Sequence, residues 1–77
     1  MSATKFKILD VRAVLAQGGE PLPEIRARVE ALIAGQGLTV IAPFVPAPLI
    51  ELLKSEGFQF AMEHRNDGAW AVNFWKE

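Results

Sequence analysis

The spacing of apolar residues changes several times along the chain and predicts six elements. The segment 5–12 is a short apolar run rich in branched and aromatic residues, which is typical of a strand. Residues 38–42 are almost wholly apolar, as expected for a strand that is covered on both faces or central in a sheet. Between 58 and 75, apolar and polar residues alternate on both sides of Asn66-Asp67-Gly68. A period of two around an Asp-Gly turn predicts a β-hairpin.

Two segments have the spacing of amphipathic helices. The first begins at the proline pair that starts with Pro21 and ends before Gly35, and the second follows Pro46 and ends at Gly57. Proline suits the first turn of a helix and glycine suits the position after its end. The segment 14–19, which ends in two glycines, predicts a loop. The apolar stripes of the two helices are formed by Ile25, Val29, Leu32 and Ile33 and by Leu49, Leu52 and Leu53.

The resulting order is β-α-β-α-β-β in a single domain over residues 1–77. It predicts the α+β class, a two-layer α/β sandwich with a mixed four-stranded sheet. Right-handed crossover connections place both helices on one face of that sheet. The other face is then left to solvent or to a partner.

Composition narrows the classes of function. Eight basic and nine acidic residues give a net charge of −1, which leaves no basic surface for nucleic acid or an anionic membrane. The longest apolar run, 40–50, contains three prolines and is too short for a membrane helix, and the N-terminal residues have no signal-peptide pattern, so we expect a cytoplasmic protein. With no cysteine and one histidine, thiol chemistry is excluded and no metal or cofactor is expected.

Several short motifs follow one another in an order that resembles a known family. They are Leu-Asp-x-Arg at 9–12, Glu-Pro at 20–21, Gly-Leu-Thr-Val-Ile at 37–41, Phe-x-Pro-x-Pro-Leu at 44–49 and Gly-Phe at 57–58. Over nearly the whole chain this order is similar to the TusA/SirA family of small sulfur-carrier proteins. It resembles more closely an uncharacterised bacterial branch of that superfamily, a domain of unknown function. The resemblance also implies an association with hemerythrin-like domains or with nitrogen-oxide metabolism.

One departure from the family decides the chemistry. TusA-like carriers begin their first helix with Cys-Pro-x-Pro, and that cysteine holds a persulfide, whereas this chain has Glu-Pro-Leu-Pro at 20–23. A carboxylate neither stores nor passes sulfur, so thiol-based sulfur transfer is excluded. What the resemblance leaves is a surface that docks on a partner protein, for a domain that is a monomer or a homodimer. The candidate interaction residues are Asp10, Arg12, Glu20, Pro21, Pro23, Phe44, Pro46 and Pro48.

Each candidate also has a plainer interpretation. Glu20 is either a general base or binding group, or an acidic residue that stabilises the helix dipole. Asp10 and Arg12 form an ion pair with neighbouring residues or with Glu20. Phe44 either offers rigid apolar surface to a partner or folds under the core. We therefore expect a non-catalytic protein-interaction module, with two alternatives: a regulatory domain that binds a small ligand, or a small enzyme that uses Glu20, Asp10 and Arg12.

Overall fold

The computed structural model describes residues 4–76 and contains seven helices and strands in that range. In chain order they are β1 (Lys5–Asp10), α1 (Arg12–Ala16), α2 (Leu22–Glu30), β2 (Gln36–Ala42), α3 (Ala47–Ser55), β3 (Gln59–His64) and β4 (Trp70–Trp75). The α+β class and the four strands are confirmed. The longest helices in the described range have nine residues, so none of them could cross a membrane.

The sheet is mixed, with the strand order β1-β2-β4-β3. β1 pairs with β2 in parallel, and β4 pairs in antiparallel fashion with both β2 and β3. β2 is therefore an inner strand, and its residues from Gly37 to Ala42 are all buried. The nearly continuous apolar sequence of this strand follows from that central position, because both of its edges are paired with other strands and its side chains are buried among their neighbours.

The three helices share one face of the sheet. The register places Leu9, Val40 and Val72 side by side on that face. They form the core together with Ile25 of α2 and Leu53 of α3. Alternate residues of the same strands point the other way, to a surface that no helix covers. We call it the open face, and it is formed by Phe6, Ile8, Thr39, Ile41, Ala61, Asn73 and Trp75.

The predicted loop at 14–19 is wrong in part, since α1 occupies residues 12–16. The Asp10 carboxylate accepts a hydrogen bond from the Arg12 backbone N–H at 3.0 Å, which turns the chain out of the sheet two residues earlier than predicted. The first predicted helix is also too long. It ends at Glu30, and Ile33 lies beyond it with 69% of its surface exposed, so this side chain does not belong to the buried stripe.

The hairpin is confirmed, with a turn over residues 66–68. The Arg65 N–H donates to the Ala69 carbonyl at 2.8 Å, and the Gly68 N–H donates to the Arg65 carbonyl at 3.1 Å. Gly68 has a φ of 86°. This geometry is a short hairpin loop that requires a left-handed residue before the second strand, which explains the glycine.

Candidate functional site

An apolar pocket of about 250 Å³ lies at the carboxyl ends of the parallel strands β1 and β2. Val40 and Ala42 form its buried floor. Its walls come from the starts of α2 and α3, with Leu22 and Leu49 among them. In open α/β sheets ligands bind outside the carboxyl ends of the parallel strands, and this pocket occupies the corresponding end of β1 and β2.

Proline determines the shape of the pocket wall. Pro21 and Pro46 directly precede α2 and α3, and Pro23 and Pro48 occupy the second position of each helix. The ring of proline fixes φ, so the two helix starts lose little conformational entropy when a partner orders them further. Phe44 stands in the segment between β2 and α3 with 53% of its surface exposed, at the mouth of the pocket. The interpretation in which Phe44 folds under the core is therefore wrong.

The structure divides the candidate interaction residues into two groups. The pocket is lined by Glu20, Pro21, Phe44, Pro46 and Pro48. Pro23 lies in the first turn of α2 but does not line the pocket. The remaining two, Asp10 and Arg12, belong to a separate ion-pair network.

We call that second group the arginine network, formed by Asp10, Arg12, Arg65 and Asp67. Arg12 Nη2 lies 2.7 Å from Asp10 Oδ2, and Arg12 Nη1 lies 3.0 Å from Asp67 Oδ2. Arg65 Nη2 lies 3.2 Å from the same Asp67 oxygen. The network connects the end of β1 to the hairpin turn, across a separation of 55 positions in sequence. Within the described residues, Arg12 has no hydrogen bond to Glu20.

The network shifts the titration of its carboxylates. Hydrogen bonds from the Arg65 side chain, then from the Ala69 N–H and from Arg12, hold the pKa of Asp67 well below its usual range. Hydrogen bonds from the Arg12 side chain and its backbone N–H lower the pKa of Asp10. In both residues the hydrogen bonds stabilise the charged carboxylate, because each donor is either a cationic guanidinium or a backbone N–H that points at a carboxylate oxygen. These contacts join the acid and the base of the Leu-Asp-x-Arg motif, which stand two positions apart, in one ion pair.

Glu20 is the one charged residue that lines the pocket. Its side chain is exposed and has no ion-pair partner within residues 4–76, whereas Glu24, one turn further along, lies 3.7 Å from Arg28. No group of three or more potential metal ligands occurs in this part of the chain. The chemistry of the pocket is therefore that of an apolar recess with one free carboxylate.

Neither tryptophan lines the pocket, nor does His64, although Trp70 is paired with Ala42 of the pocket floor. His64 stacks on Trp70 with 4.5 Å between ring centroids, at the ends of the paired strands β3 and β4. Trp75 meets Phe6 edge to face on the open face, with centroids 6.2 Å apart. Both indoles are half-buried, so neither belongs to the helix-covered core.

Most of the apolar lining of the pocket lies outside the residues predicted for the interaction surface. The periodicity predicts that Leu52 belongs to the buried stripe of the second helix, yet this residue is half-buried and lines the pocket. Leu22, which has no place in the predicted helix stripe or interaction surface, also lines the pocket. A signal did exist, because α3 carries Leu49, Ile50, Leu52 and Leu53 within five positions, an apolar face wider than a stripe of about 100°.

Residues 8–76 match the model of a protein family described as Uncharacterized conserved protein (DUF2249). The chain belongs to this family. The matched range of the DUF2249 domain includes both the pocket and the arginine network. No curated protein and no solved structure matches the chain.

Proposed function

We propose that this DUF2249 domain is a non-catalytic protein-interaction module that holds an apolar group of a partner protein in the pocket. The observation that carries the proposal is the pocket itself, an apolar recess of about 250 Å³ with walls stiffened by prolines and a half-exposed Phe44 at its mouth. Rigid apolar surface binds at low entropic cost, because little of it has to be ordered on association. No cofactor is part of this proposal.

The proposal includes a place for the domain in the TusA/SirA superfamily, as a bacterial and cytoplasmic branch that acts as a monomer or a homodimer. The motif order and the succession of main elements support this relationship. Glu20 occupies the position of the sulfur-carrying cysteine, and it lines the pocket. In this proposal the domain retains the docking region of a sulfur carrier without the thiol that carries the sulfur, since the chain contains no cysteine.

A regulatory domain that binds a small ligand is the second candidate. The size of the pocket favours it, because an apolar cavity of roughly 150 Å³ is enough to hold a benzene ring, and this pocket is larger. The enzyme alternative has no such support. Arg12 is held by Asp10 and Asp67 in the arginine network, while Glu20 lines the pocket.

A capture experiment with matched variants tests the interaction module. The domain is immobilised on a resin and incubated with a lysate of the organism that encodes it. Each protein that the resin retains is then purified and titrated against the wild-type domain and the variants Phe44→Ala and Phe6→Ala. The two phenylalanines are 53% and 40% exposed and lie on opposite sides of the sheet. We expect Phe44→Ala to weaken binding and Phe6→Ala to leave it unchanged, with the unfolding temperature recorded for both variants. Equal binding by wild type and Phe44→Ala would refute the proposal. A hemerythrin-like domain is the first purified partner to titrate.

Thermal unfolding in the presence of metabolites tests the ligand alternative. A compound at 100 times its dissociation constant stabilises the folded state by about 2.7 kcal/mol. For a domain of this size that corresponds to an increase in unfolding temperature of roughly 10–20 °C. Such an increase in wild type, absent from Phe44→Ala, would favour the small-ligand candidate over the protein partner.

A further inference from the structure

The charge around the pocket is one-sided. Thirteen residues line it, and among them Glu20 carries a charge while no lysine or arginine is present. The Glu20 carboxylate is exposed and unpaired within residues 4–76. A group that enters the pocket therefore meets an apolar wall and one negative charge.

The helix starts beside the pocket are poor binding sites for anions. An α-helix normally offers four free N–H groups at its N-terminus, which attract phosphate or carboxylate. In α2 and α3 prolines stand directly before the helix and at its second position. Proline has no N–H, so each helix start loses two of these donors. An anion would also be repelled by Glu20, whereas a cation would be attracted.

The volume of the pocket limits what enters it. About 250 Å³ exceeds the cavity that holds a benzene ring but is below the range of pockets for larger ligands, which begin at roughly 300 Å³. One aromatic or branched aliphatic side chain fits this space, and a helix does not. When one side chain of a partner segment fills the pocket, the side chain of the adjacent residue lies at the pocket entrance, near the exposed Glu20.

We propose that the pocket takes a protein segment in which an aromatic or branched aliphatic side chain is adjacent to lysine or arginine, with the basic group paired to Glu20. This inference rests on the proposed function and specifies the partner by charge complementarity. The ion pair is exposed, so it selects among partners more than it adds affinity.

Three blocked peptides test this selectivity: acetyl-Gly-Phe-Lys-Gly-amide and its counterparts with glutamine or glutamate in place of lysine. Each is titrated into the full ¹⁵N-labelled chain, and binding is followed through the backbone amide shifts of Leu22, Ala42 and Leu49. We expect the lysine peptide to bind roughly two- to fivefold more tightly than the glutamine peptide at low salt. The glutamate peptide should bind most weakly. High salt should reduce these differences.

The variant Glu20→Gln should remove the preference for lysine while leaving binding of the glutamine peptide unchanged. Glu24→Gln is the matched control, because this acid lies in the first turn of the same helix but is paired with Arg28. It should retain the preference.

The possible failures separate the two proposals. Equal binding of all three peptides at the pocket amides, or tighter binding of the glutamate peptide, would overturn the charge inference and leave the pocket as a docking site. Shifts confined to the open face, or no shifts with any peptide, would overturn both proposals.

Discussion

Gly68 allows one substitution series to isolate one physical effect. The residue has a φ of +86°, and a Cβ added to it would meet no atom within 4 Å. A side chain added at this position therefore meets no steric clash and disturbs no packed neighbour. What remains is the cost of holding an L-residue in the left-handed region, about 1–2 kcal/mol. That cost is larger for a β-branched side chain and smaller for asparagine, which visits this region more readily.

The series is Gly68→Asn, Gly68→Ala and Gly68→Val, measured by urea unfolding at pH 7. We expect the free energy of unfolding to fall by less than about 1 kcal/mol for asparagine, about 1 kcal/mol for alanine and about 2 kcal/mol for valine. The dependence on urea concentration should stay unchanged, because the variants expose the same surface on unfolding. Gly18, with a φ of +76° and the same free space, should show the same order.

A loss below about 0.5 kcal/mol for Gly68→Val would place it at the level of an ordinary surface substitution. The turn geometry described above would then be wrong. An asparagine variant as unstable as the valine variant would also contradict the argument, because it would show that side-chain size rather than backbone conformation sets the cost.

Two further predictions concern the open face and the arginine network. Gly37→Ala places a Cβ 2.5 Å from the Phe6 ring and 2.6 Å from the Phe74 carbonyl oxygen, and such overpacking should cost about 1–3 kcal/mol in urea unfolding. Adding Phe6→Ala should recover only part of that loss, because the carbonyl is fixed in the ladder between β2 and β4; full recovery would refute this. The lowered pKa of Asp67 means that its stabilising contribution is present above pH 4 and is lost as pH falls below its ordinary pKa of 3.8. The urea midpoint of wild type should therefore fall further between pH 7 and pH 3 than that of Asp67→Asn, and parallel declines would contradict the assignment.

The hairpin and the central strand could be predicted from the sequence because their signals are local. Alternation on both sides of the Asp67-Gly68 pair defines two strands and the turn between them without reference to the rest of the chain. The apolar segment 38–42 predicts a strand that is covered on both faces or central in the sheet for the same reason, and the structure shows the central position. The short helix α1 was missed because five residues followed by Gln17 and two glycines contain too few turns for helical periodicity to be visible.

The candidate site could be predicted only in part from the sequence. The separation of the candidate residues into a pocket and an arginine network depends on a long-range contact. Asp10 and Arg12 lie in a motif beside the predicted docking surface, and nothing local shows that Arg12 reaches Asp67. Glu20 and Phe44 were identified from their place in a motif, but the cavity between them arises from helix packing. Periodicity shows that a helix face is apolar. It does not show whether the sheet beneath is wide enough to cover that face.

The register of the sheet fixes where the chain enters and leaves the domain. Lys5 of β1 is paired with Gln36, and Trp75 of β4 is paired with the next residue, Gly37. The two ends of the described fold thus flank β2, about 10 Å apart at two strand spacings. They lie at the opposite end of the sheet from the pocket, which follows the last residue of β2. The domain is consequently suited to insertion into a surface loop of another protein, or to fusion at either terminus, with its pocket facing away from the attachment point.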